Sequence, residues 1–318
     1  MQPSRSGKLF NYGFATRIKA AIVRAIATKN GPRAVLNKYY GLLGWEAKFH
    51  FHARYSKIFS DQTIPPTSGE WNIYFAGQKV RLPLRSSSFW LDWNSAVSVV
   101  GHDIEIKQTY AALVSSDQRP ALFLDVGANY GTHSVLFLSV GVPIIAFEPN
   151  PTCFSYFQAV CELNGLKGRW EQVAIGNKTG PIELAYLEKA TWLGSVSSDV
   201  VSTLKKSADV RAVKVTIKKL DCYLSDVPYD KALIKIDVEG SEREVIEGAS
   251  QLLQQRKPKL IFESNDTKSR HGLFHVLADH RYSIHVLPWR PSATSHILSV
   301  NEFLGSTATN FIAIPDAV

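Results

Sequence analysis

The 318 residues predict an α/β fold organised on a mostly parallel sheet, and three observations carry that prediction. Residues 121–151, ALFLDVGANYGTHSVLFLSVGVPIIAFEPNP, read as strand, glycine-bearing turn, helix and second strand, with an acidic residue at the second strand's end. Residues 231–249, KALIKIDVEGSEREVIEGA, read as another strand running into a helix. No apolar run approaches the roughly eighteen residues of a membrane span, and 45% hydrophobic content is ordinary for a globular chain.

In chain order, residues 1–64 form a basic, mainly helical extension. Its first sixty residues hold eleven Lys and Arg against the single acid Glu46, a charge of +10. The whole chain is +8, so the remainder carries −2, and the basicity belongs to the extension. Residues 14–28 predict an amphipathic helix: Phe14, Ile18, Ala21, Ile22 and Ala25 share a face, with Arg17 and Arg24 off it. Asn30-Gly31-Pro32 stops it, and a second helical stretch follows to Tyr39 or Leu43. Such a helix packs its apolar face on the rest of the chain or on a second copy in a homo-oligomer, lies on an anionic membrane surface, or meets nucleic acid. Arg17, Lys19 and Arg24 interrupt any signal-peptide core, and Cys153, Cys161 and Cys222 form no C-x-x-C pair. These features predict a reduced, cytoplasmic protein, with the inner face of a membrane as its other setting.

Residues 65–118 predict a linker at Pro65-Pro66-Thr67-Ser68-Gly69, a hairpin over 71–84 turning at Ala76-Gly77-Gln78, and a helix over 103–114. Phe89, Trp90 and Trp93 form an aromatic cluster suited to a core, or to stacking on a sugar. This part is a candidate for substrate selection.

From residue 119 the chemistry begins. The apolar run 121–124 ends at Asp125 and Gly127, helical spacing runs over 130–140, and residues 143–147 form a strand ending on Glu148. Gly127 and Gly131 let the backbone turn sharply and approach a ligand. The following helix offers free N–H groups to a carboxylate. Glu148 stands where an acid accepts hydrogen bonds from both ribose hydroxyls. Ala128, Asn129 and Tyr130 separate the two glycines, so the spacing of pyrophosphate binders is absent. A cofactor without a pyrophosphate fits better, and S-adenosylmethionine is the natural one. The spacing alone also fits a structural turn in an unrelated α/β domain.

Residues 151–164 predict a helix with Gly165 as C-cap, and 169–175 a third strand, where Gln172 or Ala174 backbone groups are candidates for reading an adenine. Strands over 181–187 and 210–217 flank a Ser-rich loop, 194–207, that is either a lid or a plain surface loop. In 231–239, Ile234, Ile236 and Val238 alternate with Lys235, Asp237 and Glu239. A central parallel strand is expected to be apolar on both faces, so these charges either face a cleft or form an internal ion pair. A strand over 259–263 and a helix over 269–280 follow.

Asp125-Val-Gly-Ala-Asn129-Tyr130-Gly131, then Phe147-Glu148-Pro149-Asn150-Pro151, then Lys235-Ile-Asp237-Val-Glu239-Gly240-Ser-Glu242 resemble, in this order, the FkbM family of S-adenosylmethionine-dependent methyltransferases. Asn164-Gly165-Leu166, Val173-Ala174-Ile175-Gly176 and Ile261-Phe262-Glu263 extend the resemblance over about 122–263. It implies a Rossmann-like class I methyltransferase fold over 119–318: a seven-stranded, mostly parallel sheet with an antiparallel last strand, drawn from residues 282–287 and 310–314. It implies O-methylation, often of sugar hydroxyls, with a glycan or glycolipid as acceptor. The motifs assign Asp125, Gly127, Asn129, Tyr130, Gly131, Glu148, Asn150, Ala174 and Asp237 to the cofactor.

A hydroxyl acceptor needs its proton removed, and in an open α/β sheet the ligand lies beyond the carboxyl ends of the strands. Asp237, Glu239 and Glu263 are expected to converge there. One of them acts as base, with Lys235 holding it ionised or orienting the acceptor; alternatively Asp237, Glu263 and Asn265 hold a divalent cation. A metal-free base is the favoured expectation. His271, four residues before His275, is a further base candidate, and His133 a weaker one. Two rival functions are a nucleic-acid methyltransferase, against which the slightly acidic catalytic part speaks, and a non-catalytic binding module.

Overall fold

The computed structural model describes residues 14–56, 69–84, 93–187, 190–196, 210–265, 267–291 and 293–316. The chain divides into two compact units, residues 1–72 with 83–102, and residues 73–82 with 103–318. The expected linker before Gly69, the aromatic residues Phe89 and Trp90, and the loop after residue 196 lie outside the described residues.

The first unit is helical. It contains α1 (Phe14–Ala27), α2 (Asn30–Leu42), α3 (Trp45–Tyr55) and α4 (Trp93–Gly101). Asn30-Gly31-Pro32 opens α2 instead of merely stopping α1, because Pro32 sits in the first turn, where its missing N–H costs no helical bond. An aromatic core holds the unit together. The Trp71 and Trp93 rings lie 4.4 Å apart, and Tyr40 packs against both Phe51 and Trp71. The tyrosine hydroxyl donates to the Val97 carbonyl at 3.3 Å, and the Trp93 indole donates to Tyr55. Trp93 is therefore a core residue. The apolar face expected on α1 is exposed: Ile18, Ala21, Ile22 and Ala25 all face solvent.

The hairpin is β1 (Gly69–Phe75) and β2 (Gln78–Leu84), turning through Ala76 and Gly77, both with positive φ. Helix α5 (Ile104–Val114) leads into the main sheet of the second unit.

That sheet has seven strands: β3 (Leu122–Val126), β4 (Ile144–Phe147), β5 (Arg169–Glu171), β10 (Ala232–Ile236), β11 (Lys259–Glu263), β12 (Tyr282–Val286) and β13 (Asn310–Pro315). Their order is β12-β13-β11-β10-β3-β4-β5, and β13 runs antiparallel to both its neighbours. Strands β3 and β10 are buried at every position, which explains their near-continuous apolar sequences. Their exceptions, Asp125 and Lys235, are register partners. One face of the sheet contributes Leu124, Val126, Ile234, Ile236 and Phe262 to a large core that also takes in Val245, Leu252 and Leu277. On the other face the Phe123 and Phe137 rings stack at 4.0 Å. Each such side chain, fully buried, contributes about 1.5–3 kcal/mol.

A second sheet, ordered β6-β9-β7-β8, is formed by β6 (Ala174–Ile175), β7 (Gly180–Leu187), β8 (Ala190–Ser195) and β9 (Val210–Lys218). The single strand expected over 169–175 is thus two strands in two sheets, broken at Gln172 and Val173. Strand β8 takes the start of the expected Ser-rich loop.

The helix expected over 130–140 shrinks to α6 (Ser134–Ser139). Gly127, Asn129 and Gly131 all adopt positive φ, so the chain turns on itself before it can coil. Helix α7 (Phe154–Asn164) ends on Gly165 in the left-handed conformation, as expected of a C-cap. The remaining helices are α8 (Glu242–Glu247), α9 (Ser250–Arg256), α10 (Thr267–Asp279) and α11 (Val300–Gly305), the last closed by a Ser299/Glu302 capping box. No described helix is long and apolar enough to cross a membrane.

Candidate active site

Strand register assembles the site. Val126, Ile236 and Phe262 are neighbours across β3, β10 and β11, so the three strands end within a residue of one level. The residues that follow, Gly127, Asp237 and Glu263, therefore share the carboxyl edge. The Asp237 amide still donates to the Val126 carbonyl at 3.0 Å. A Cβ on Gly127 would lie 1.8 Å from the Asp237 carbonyl oxygen, so that position admits no side chain.

A cavity opens at this edge. Its floor is Gly127 and Asn129, its acidic side Glu148 and Asn150, and its apolar wall Val173, Ala174, Ile175 and Leu184. Gly194, Ser195 and Val196 from β8 and beyond line it together with Asp237 and Glu239, the Ser195 hydroxyl donating to the Glu239 carbonyl at 3.3 Å. Glu148 is fixed by two backbone donors, Asn129 N–H to Oε2 and Asn150 N–H to Oε1, each at 2.8 Å. Each oxygen retains a lone pair for a further donor. Burial pushes the Glu148 carboxyl up to about 7. Asn150 Nδ2 is buried and has no protein partner among the described residues, leaving a donor beside Glu148. A diol-bearing ligand satisfies both groups.

Not every residue assigned to the cofactor lines the cavity. Asp125 lies beneath it, fully buried, its Oδ2 accepting from the Ser134 amide at 3.1 Å and hydroxyl at 2.7 Å. It thereby takes one of the helix N–H groups expected to meet a ligand carboxylate. Tyr130 packs on Tyr156, and a Cβ on Gly131 would strike the Phe157 ring at 2.4 Å. Both residues fit the turn to α7 and do not line the cavity.

At the other end three carboxylates converge. Asp237, Glu239 and Glu263 each offer an oxygen within 4.8 Å of the others. Burial, with Asp237 next, raises Glu239 to about 7 and Glu263 to about 8. Lys235 Nζ donates to Asp237 Oδ2 at 2.9 Å. Burial pulls the Lys235 ammonium down, but Asp237 and Asp125 outweigh it and hold it above the usual lysine range. Glu239 sits at φ +53, a left-handed conformation that costs a non-glycine residue about 1 kcal/mol. Glu242 supports that bend by accepting from the Val238 and Gly240 amides. The same spacing suits a divalent cation, with Glu239 in place of the expected Asn265, which donates to Glu263.

His271 is exposed on α10, with its Nε2 3.3 Å from that of His275, and does not line the cavity. His133 is buried. Its Nε2 lies 3.4 Å from Lys107 Nζ and its Nδ1 3.1 Å from the Tyr110 hydroxyl. Burial lowers Lys107 to about 8, and Asp103, Lys235, Glu105 and Asp237 also act on it. Sequence reasoning missed Lys107 and Tyr110. The signal was a lysine on the face of α5 that Tyr110 and Val114 bury.

A parallel sheet of this order, with an antiparallel β13 and a glycine turn and acid at adjacent strand ends, defines the class I methyltransferase architecture. Comparison with known proteins narrows that class. The methyltransferase FkbM domain model matches residues 125–299. Among curated proteins, "Methyltransferase 1" of Beauveria bassiana (strain ARSEF 2860) is 28% identical over 169 residues, covering 48% of this chain and 67% of its own. The 31-O-demethyl-FK506 methyltransferase FkbM of Streptomyces tacrolimicus is 27% identical over 187 residues, covering 50% and 72%. The solved structure of methyltransferase FkbM from Methylobacillus flagellatus KT aligns with a TM-score of 0.40 at 16% identity, over 70% of this chain and 54% of its own. This chain belongs to the FkbM methyltransferase family, whose cofactor is S-adenosylmethionine.

Proposed function

We propose that this protein transfers a methyl group to a hydroxyl of a sugar in a glycan or glycolipid. The observation that carries this reading is the convergence of Asp237, Glu239 and Glu263 beside the cofactor cavity. Carboxylates are the groups that accept hydrogen bonds from vicinal hydroxyls and can remove a hydroxyl proton. The Streptomyces relative is named for a 31-O-demethyl substrate, which supports oxygen as the acceptor atom.

Glu148 and Asn150 would hold the ribose and Gly127 would let the backbone approach. Bound there, S-adenosylmethionine supplies a methyl group made electrophilic by its sulfonium. The chain's own task is alignment and proton removal. Asp237 is the favoured base because it stands at the end of the central strand, lines the cavity and is oriented by Lys235. Glu239 and Glu263 orient the acceptor's remaining hydroxyls.

The test is methyl transfer from isotopically labelled S-adenosylmethionine to a panel of oligosaccharides, glycolipids, RNA and protein, with the product located by NMR. An O-methyl ether on a sugar supports the proposal. Label in RNA or protein alone would replace it.

A further inference from the structure

The helices of the N-terminal unit carry an unusual surface. Eleven large hydrophobic side chains stand exposed among the described residues, and six of them lie in α1, α2 and α3. Val35, Tyr39 and Leu42 are 72%, 59% and 81% exposed. Their spacing of four and then three residues places them on one stripe of α2. Ile18 and Ile22 form a shorter stripe on α1, and Phe49 is exposed on α3. Lysines accompany these residues: Lys19 beside Ile18, Lys38 beside Tyr39, and Lys29 between the two helices are all exposed. Over the first sixty residues one acid, Glu46, faces eleven cations.

We propose that this unit docks on an anionic lipid surface, the stripes entering the headgroup boundary while the lysines meet lipid phosphates. Charge selects that occupant over the others. A second copy seated on the same stripes would set the exposed Lys19, Lys29 and Lys38 of one copy against those of the other. A nucleic acid would satisfy the lysines but leave Val35, Tyr39 and Leu42 in water. An anionic bilayer satisfies both, since its interface is apolar beneath and negative above. The inference rests on the surface of the helices and not on the acceptor. If it holds, a lipid-linked sugar becomes the favoured acceptor, because docking brings it to the enzyme.

Co-sedimentation of the full chain with vesicles tests it. One set is phosphatidylcholine alone and the other contains about one-third phosphatidylglycerol, each at about 0.1 M and about 0.5 M salt. Binding to the anionic vesicles is expected to exceed binding to the neutral ones by about tenfold or more and to fall with salt. Val35→Glu with Leu42→Glu, and separately Lys19→Glu with Lys38→Glu, are each expected to lower it about tenfold. Both double variants should keep wild-type circular dichroism and S-adenosylhomocysteine affinity, because these side chains are exposed and outside the cavity. Equal binding to both vesicle types, or no effect of the Val35/Leu42 variant, overturns the proposal. A dimer that this variant converts to monomer, without vesicle binding, assigns the face to a second copy. Salt-sensitive RNA binding in place of vesicle binding assigns it to nucleic acid.

Discussion

At the ends of β3 and β4 the site is built from backbone, and at the ends of β10 and β11 it is built from charge. Gly127 is required because the Asp237 carbonyl fills the space a Cβ would take, and Glu148 is locked by two amides. The other end gathers Asp237, Glu239 and Glu263, pairs Asp237 with Lys235 and is shaped by a strained residue. The difference teaches a division of labour. A cradle that must recognise the same cofactor every time is fixed by main-chain geometry. On the proposed function, the centre that takes the acceptor's proton keeps several groups whose charges respond to one another.

Mutation should separate the two ends. Asp237→Asn is expected to cut turnover about a hundredfold or more, while calorimetric titration with S-adenosylhomocysteine stays within a few-fold of wild type. A fully active variant would remove Asp237 as base. Gly127→Ala acts on the cradle instead, and should lower stability by about 2–4 kcal/mol in denaturant titrations and abolish cofactor binding. Gly165→Ala serves as its control. Gly165 has φ +64 but nothing within 4 Å of an added Cβ, so about 1 kcal/mol is expected. Equal losses at both glycines would mean that the Asp237 carbonyl does not set the requirement.

Glu148→Ala should weaken S-adenosylhomocysteine binding by roughly 1–3 kcal/mol and leave the maximal rate nearly intact once cofactor saturates. The same carboxyl makes binding depend on pH. Burial raises Glu148 above its ordinary value of 4.5, to about 7, so the free fold favours its protonated form. Its contribution to fold stability is therefore greatest at low pH and is lost as pH rises through that window. Ribose hydroxyls prefer the ionised carboxylate, so cofactor affinity should move the opposite way, falling up to about tenfold per unit below pH 7. A Glu148→Gln protein should lack that slope, and a slope that persists would belong to another group.

The backbone end was the more legible in sequence. Buried parallel strands are short apolar runs, and Asp125, Gly127 and Glu148 punctuate them at fixed distances. The helix expected from residue 130 starts only at Ser134, because apolar spacing does not reveal that Asn129 and Gly131 take positive φ. Tyr130 and Gly131, assigned to the cofactor by the motif, lie against Tyr156 and Phe157 of α7, a contact the motif does not specify. At the charged end the convergence of the acids was expected from their places at strand ends, and the order that sets β10 between β3 and β11 brings it about. The Lys107–His133–Tyr110 cluster joins α5 to the start of α6 across 26 residues, and such long-range pairing leaves no periodic trace. The exposed stripe of α2 was hidden for the opposite reason. Its apolar spacing is the same whether a helix face is covered or bare.

The break at Gln172 and Val173 has a consequence for engineering. By switching sheets there, the chain makes one wall of the cavity from β7 and β8, whose Leu184 and Ser195 owe their positions to the smaller sheet. That wall is a replaceable panel on a fixed frame. Trimming Leu184, or grafting a different β7–β8 hairpin, would resize the compartment for cofactor analogues with an enlarged base. The strands that carry Glu148 and Asp237 would keep their register.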